Sequence, residues 1–306
     1  MLLFLLISVP LLAQPPAIKE ASGIVRSGNS LLIVDDSDVG AYYRVPLKKG
    51  LGPLIDLNSQ KPERVKLKAH NLGIDLESIG ILADTRIVLL SERLRSLVSD
   101  TGILAEYDSD LAEVGKRGLE GVAVRSKADG SSIVAVLWEG GYGDFSVTQY
   151  MRPPVGRGPW LPILLIHDVP RHGAAGRVRL RDVKTVELQV PMPMGKEPEA
   201  QRFRAPDLTW TKLPGGEWGF IVLLSSQNAS AKPIFQHHWI LRFDLNGKSV
   251  GEPLDLAAAV PPKTRDANWE GVNWFEPGKS LVVCHEGDSG LQPHAFILDL
   301  PPAWRF

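Results

Sequence analysis

Short aliphatic runs recur along the chain, in pairs: SGIVRS with SLLIVD, ESIGIL with IVLLSE, EGVAVR with IVAVLWE, DLTWTKL with WGFIVLL, and EGVNWF with LVVCHE. The residues alternate on a period of two, and Asp-Gly and Pro-Gly turns stand at breaks between them. That combination predicts antiparallel hairpins. Helical periodicity is sustained nowhere beyond the first residues and the short LDLAAAV stretch.

The hairpins share more than their pattern. Three copies read as an acidic residue, then Ser or Gly, an aliphatic strand, a turn, and a second strand ending in another acid. Glu77 to Glu92 spans 15 residues, Glu120 to Glu139 spans 19, and Glu270 to Glu286 spans 16, the differences falling in the turns. Two eroded copies have Ser22 with Asp36, and Asp207 (or Thr209) with Gln227. Each hairpin is followed by a further strand pair, as in SLVSDTGILAEYD and HAFILDL. The markers at 22, 77, 120, 207 and 270 are separated by 55, 43, 87 and 63 residues, most of these gaps matching one four-stranded blade with its loops. The expected fold is all-β, a single β-propeller of four-stranded blades. Five blades are visible, and the 87-residue gap holds either a degenerate sixth or a blade with a long insertion. For ring closure, residues 18–34 are expected to complete the last blade.

Composition narrows the reading. With 44% hydrophobic residues the 306-residue chain can build a large core, and a formal net charge of -1 leaves no footprint for nucleic acid or an anionic membrane. The opening MLLFLLISVPLLA is about 12 apolar residues, short of the roughly 20 needed to span a bilayer. It reads as a signal peptide over 1–13, leaving 14–306 as one domain outside the cytoplasm, secreted or periplasmic, and monomeric. The lone Cys284 excludes an internal disulfide and a cysteine-based zinc site, and its expected role is a buried hydrophobe.

In a propeller the innermost strand of each blade faces a shared channel. Ser22, Glu77, Glu120, Asp207 and Glu270 would then form one ring, with Asp36, Glu92, Glu139, Gln227 and Glu286 beside it. Converging carboxylates repel, so bound cations, interleaved Arg or Lys, or raised pKa values must offset the repulsion. A metal set of Glu77, Glu92, Glu120, Glu139, Glu270 and Glu286 suits calcium, which takes six to eight oxygen ligands. Glu77, Glu120 and Glu270 are the catalytic candidates, and Arg93 and Arg117 are weaker candidates for binding phosphate. Equally, each carboxylate could be a staple accepting backbone N–H groups from the next blade. No nucleophile elbow, P-loop or dinucleotide fingerprint is present.

These residues resemble the phytase-like propeller domain, named for an esterase-like activity of phytase. Asp75-Leu76-Glu77-Ser78-Ile79 with Ser91-Glu92-Arg93, then Gly118-Leu119-Glu120-Gly121-Val122, and finally Asn268-Trp269-Glu270-Gly271-Val272 with Glu286 follow that family's order and spacing. The related SdiA-regulated propellers share much of the grammar. Ser78 departs from the family's usual Gly and Glu286 from its more typical Asp. The resemblance implies an extracytoplasmic propeller and a metal-dependent ester hydrolase, acting on a small phosphoric or carboxylic ester in the channel. A non-enzymatic propeller that binds a ligand or protein, and a lactonase-like esterase, are the other readings.

Overall fold

The computed structural model describes residues 17–68, 75–107, 118–139, 161–191, 201–228, 235–287 and 291–306. Residues 1–13, read as a signal peptide, therefore lie outside the described residues. The rest form five antiparallel sheets, and each sequence repeat supplies the first two strands of one sheet.

Blade one holds β1 (Ala21–Ser27), β2 (Ser30–Asp35), β3 (Ala41–Pro46) and β5 (Glu63–Lys66), while β4 (Leu54–Asp56) leaves it for another sheet. Blade two is β6 (Leu76–Ile81), β7 (Ile87–Ser91), β8 (Ser96–Ser99) and β9 (Gly102–Tyr107). Blade three is β10 (Leu119–Ser126), β11 (Ser132–Trp138), β12 (Ile163–Val169) and β14 (Lys184–Glu187). Between the last two of these, β13 (Gly176–Val178) reaches back to pair in parallel with β9 at the rim of blade two. Blade four is β15 (Gln201–Lys212), β16 (Trp218–Asn228), β17 (Phe235–Asp244) and β18 (Leu254–Asp255), followed by the one-turn helix α1 (Leu256–Ala259) foreshadowed by LDLAAAV. Blade five is β19 (Trp269–Glu276), β20 (Ser280–His285) and β21 (His294–Asp299), completed by β4.

The 87-residue gap holds no sixth blade among its described residues. Its strands β12 and β14 are the outer half of blade three, and β13 widens blade two. Ring closure also differs from expectation. Residues 18–34 build the inner hairpin of blade one, and the strand lent to blade five is β4, whose Ile55 pairs with Ala295. The chain just after β4 is pinned to the seam. Ile18 exchanges two hydrogen bonds with the Asn58 side chain, at 2.8 and 2.9 Å, and Leu57 N–H donates to Pro293 O.

The core is five apolar layers, one between each pair of neighbouring blades. Both faces of an inner strand are therefore covered, which explains near-continuous runs such as IVAVLW in place of strict alternation. Leu90 and Val122 share the layer between blades two and three, Leu137 and Leu224 that between three and four, and Leu223 and Val283 that between four and five. Ile33 and Cys284 share the layer between five and one, so the cysteine is a buried packing residue. Each fully buried Leu, Ile or Val stabilises the fold by about 1.5–3 kcal/mol.

Candidate functional site: an acidic ring at the channel

β1, β6, β10, β15 and β19 each lie at the inner edge of their sheet and contact one another around the ring. Each carries a β-bulge at the same place. The register slips between Ala21 and Gly23, Leu76 and Ser78, Leu119 and Gly121, Arg204 and Asp207, and Trp269 and Gly271. The skipped residues are Ser22, Glu77, Glu120 and Glu270, and in blade four Ala205 and Pro206. A bulge re-aims a side chain that the ladder would otherwise fix, so the repeat's first acidic position is a bulge position.

Blade four corrects the sequence reading. Asp207 pairs with Leu223 as Gly23 pairs with Val34 and Gly271 with Cys284, one residue beyond the bulge. Pro206 stands where the acid was expected, tolerated because a bulge residue need not donate to the ladder. The second position shifts too. Arg204 pairs with Ser225, which makes Ser225, not Gln227, the counterpart of Glu92.

The residue after the bulge is small where strands from two blades touch. A Cβ on Gly271 would lie 2.6 Å from Cys284 Sγ and 3.0 Å from Ser22 O, and one on Gly23 would lie 2.6 Å from Ser78 Cα. Ser78 uses this place differently, accepting from Val122 N–H and donating to Asp207 Oδ1, both at 3.1 Å. The other Asp207 oxygen accepts from Val272 N–H at 2.8 Å. Ser78 and Asp207 belong to blades two and four, which are not neighbours, so their bond links two blades past the one between them. Asp207 is fully enclosed, and burial pushes its carboxyl well above the usual range against those hydrogen bonds. It is a staple and not a ring acid.

The carboxylates of the ring divide into two groups. In blade two, Asp75, Glu77 and Glu92 each offer one oxygen, and these oxygens lie within 4.8 Å of one another. All three are partly buried, and no hydrogen-bond donor reaches Glu77 among the described residues. Burial, then the charges of Asp36, Glu92, Glu270 and Asp75, push the Glu77 carboxyl well up.

The second group surrounds Arg204 of β15. Its Nη2 donates to Glu270 and, at 2.9 Å, to Asn268 Oδ1, and its Nη1 lies 3.8 Å from Glu139 Oε2. Asn268 also donates to Glu270. Burial raises the Glu270 carboxyl to about 7, held there against the opposing Arg204 charge. Between the groups, Glu120 is pushed well up by burial and by Glu139, Glu77 and Glu92, with Arg204 pulling the other way. At the seam Asp36 rises to about 8 through burial, a hydrogen bond with Glu20 and the charges of Glu20, Glu286 and Asp35.

Of the six carboxylates expected to hold metal, the structure thus brings Glu77 and Glu92 together with Asp75. It gathers Glu120, Glu139 and Glu270 towards Arg204, and sets Glu286 towards Asp36. Arg93 is exposed in the turn after β7, and Arg117 lies outside the described residues. The sequence reading missed Arg204 and Asn268 as site residues. Aligned on the bulge, the position two residues before the ring reads Glu20, Asp75, Gly118, Arg204 and Asn268. Four of those five are polar, and the fifth leaves room for Glu92, whose Cγ would lie 2.2 Å from a Cβ on Gly118.

The all-oxygen set of Asp75, Glu77 and Glu92 fits a hard cation. Ligands 2.3–2.6 Å from one calcium ion can subtend roughly the observed spread, and their partial exposure leaves places for water. Cysteine is absent from the set and so is histidine, which disfavours zinc.

No protein-family model and no curated protein matches the sequence. Solved structures do match in shape. An endo-arabinase from Bacteroides thetaiotaomicron covers 93% of this chain and 97% of its own, with 10% identity and a TM-score of 0.50. Virginiamycin B lyase from Staphylococcus aureus covers 94% and 97% at 11% identity, with a TM-score of 0.40. Regucalcin, a calcium-binding protein from Agrobacterium tumefaciens, covers 95% and 96% at 10% identity, also at 0.40. Similarity at this level identifies the fold, a β-propeller.

Proposed function

We propose that Asp75, Glu77 and Glu92 bind a divalent cation, calcium being the best match, and that the protein is a metal-dependent ester hydrolase of the phytase-like kind, working outside the cytoplasm. The observation that carries this reading is the convergence of the three carboxylate oxygens within 4.8 Å of one another. A cation bound there supplies an electrophile for a phosphoryl or carboxyl oxygen and acidifies a bound water. The chain's own residues supply the rest. Glu120, between the two carboxylate groups, is placed to hold or release a proton, and Arg204 keeps Glu270 and Glu139 fixed.

The test is thermal unfolding of the full chain in EDTA and in excess calcium, followed by assays on phosphate monoesters and lactones. A calcium-dependent rise in Tm and turnover that Glu77→Gln abolishes are the expected results. A rise in Tm without turnover on either ester class would favour a ligand-binding propeller, a reading that the purely structural Asp207 supports. No rise at all would remove the cation site.

A further inference from the structure

We infer that the Arg204 guanidinium takes the place of a second divalent cation, so that the channel holds one exchangeable ion and not two. The inference rests on the cation reading of Asp75, Glu77 and Glu92.

Its basis is the repeat. Asp75 stands two residues before the bulge acid Glu77, and Glu92 is the second-position acid of the same blade. Across the ring the same three kinds of position recur as Asn268 before Glu270 in blade five, with Glu139 supplying the second-position acid from blade three. Their facing atoms are again oxygens: Asn268 Oδ1, Glu270 Oε1 and Glu139 Oε2. The difference is what lies among them. Arg204 projects from blade four, and its two terminal nitrogens reach all three oxygens. Its side chain is 15% exposed, beside carboxylates 7% and 4% exposed, so the charge is enclosed with its partners. A guanidinium stays protonated at any working pH and its planar fork suits two carboxylates at once. A chelator cannot remove it. The Glu270 side of the ring thus carries a cation of the chain's own.

The experiment counts calcium ions bound by the full chain in equilibrium dialysis. Wild-type protein is expected to bind one ion per chain, and Arg204→Gln, which removes the charge, is expected to bind two. The double variant Arg204→Gln/Glu270→Gln, having lost a ligand of the new site, should return to one. If Arg204→Gln folds only with calcium present, that dependence is itself the expected replacement of one cation by another. An Arg204→Gln chain that binds no additional ion, or stays unfolded at saturating calcium, overturns the inference, as do two ions in the wild type. No ion in the wild type but one in Arg204→Gln would refute the Asp75–Glu77–Glu92 site and leave the role of Arg204 standing.

Discussion

The two halves of the acidic ring face the same problem with different means. Around Glu270 the chain supplies its own cation, Arg204, and an amide, Asn268, that hydrogen-bonds both. Around Glu77 three carboxylates converge, and burial and the charges of its acidic neighbours push the Glu77 carboxyl well up. Perturbed acids gathered in this way mark a site.

The comparison breaks most readily at Arg204. In EDTA, Arg204→Ala leaves Glu270 and Glu139 enclosed without their counter-charge and is expected to cost about 3–5 kcal/mol, the usual effect of removing one partner of a buried ion pair. Glu77→Gln under the same conditions removes repulsion and should raise Tm. Denaturant unfolding of both variants decides it. If both lose stability alike, the two halves are not electrostatically different.

Calcium sharpens the same contrast. At 100 times its Kd a single bound ion adds about 2.7 kcal/mol to wild-type stability. Glu77→Gln should lose that increment, whereas Glu270→Gln, in the half already neutralised, should keep most of it. A calcium shift lost equally in both variants would mean one continuous site.

How much of this was legible before the structure follows from which residues obeyed the repeat. Glu77, Glu120 and Glu270 stood out because an acid followed by Ser or Gly recurs with similar spacing to a second acid. The hairpins they open, with the two eroded copies, gave the five inner strand pairs and so the propeller. Blade four was misaligned by one residue, because Pro206 replaced the acid and Asp207, next to it, imitated one. The partition of the ring was hidden for the same reason. Arg204 is an ordinary basic residue in RFRAPD until the register places it two positions before the bulge. The closing strand was misplaced because β4 is three residues long and carries no repeat signal. Nothing in its letters says that it pairs with β21.

A smaller effect is that of pH on Glu270 and on the seam acid Asp36. For a carboxyl raised in the folded state, stability is complete below the unfolded value and is lost as pH rises through the folded one. For Glu270 the window runs from 4.5 to about 7, and for Asp36 from 3.8 to about 8. Metal-free protein should therefore unfold at a lower temperature at pH 8 than at pH 5. Glu270→Gln should flatten the part of the decline below about 7, and Asp36→Asn the part that continues towards 8. A profile unchanged in both variants would assign the decline to other groups.

The smallest expected effect is at the second position of blade four, which belongs to neither half. Ser225 occupies the place of Glu92, is fully buried, and its Oγ has no hydrogen-bond partner among the described residues. An unsatisfied hydroxyl contributes nothing that alanine would lose, and its removal relieves a desolvation penalty. Ser225→Ala should therefore change stability by no more than about 0.5 kcal/mol, in the stabilising direction if at all. It should also leave the calcium-induced rise in Tm intact. A variant that lost that rise would bring blade four into the cation site, and the division of the ring at Arg204 would have to be redrawn.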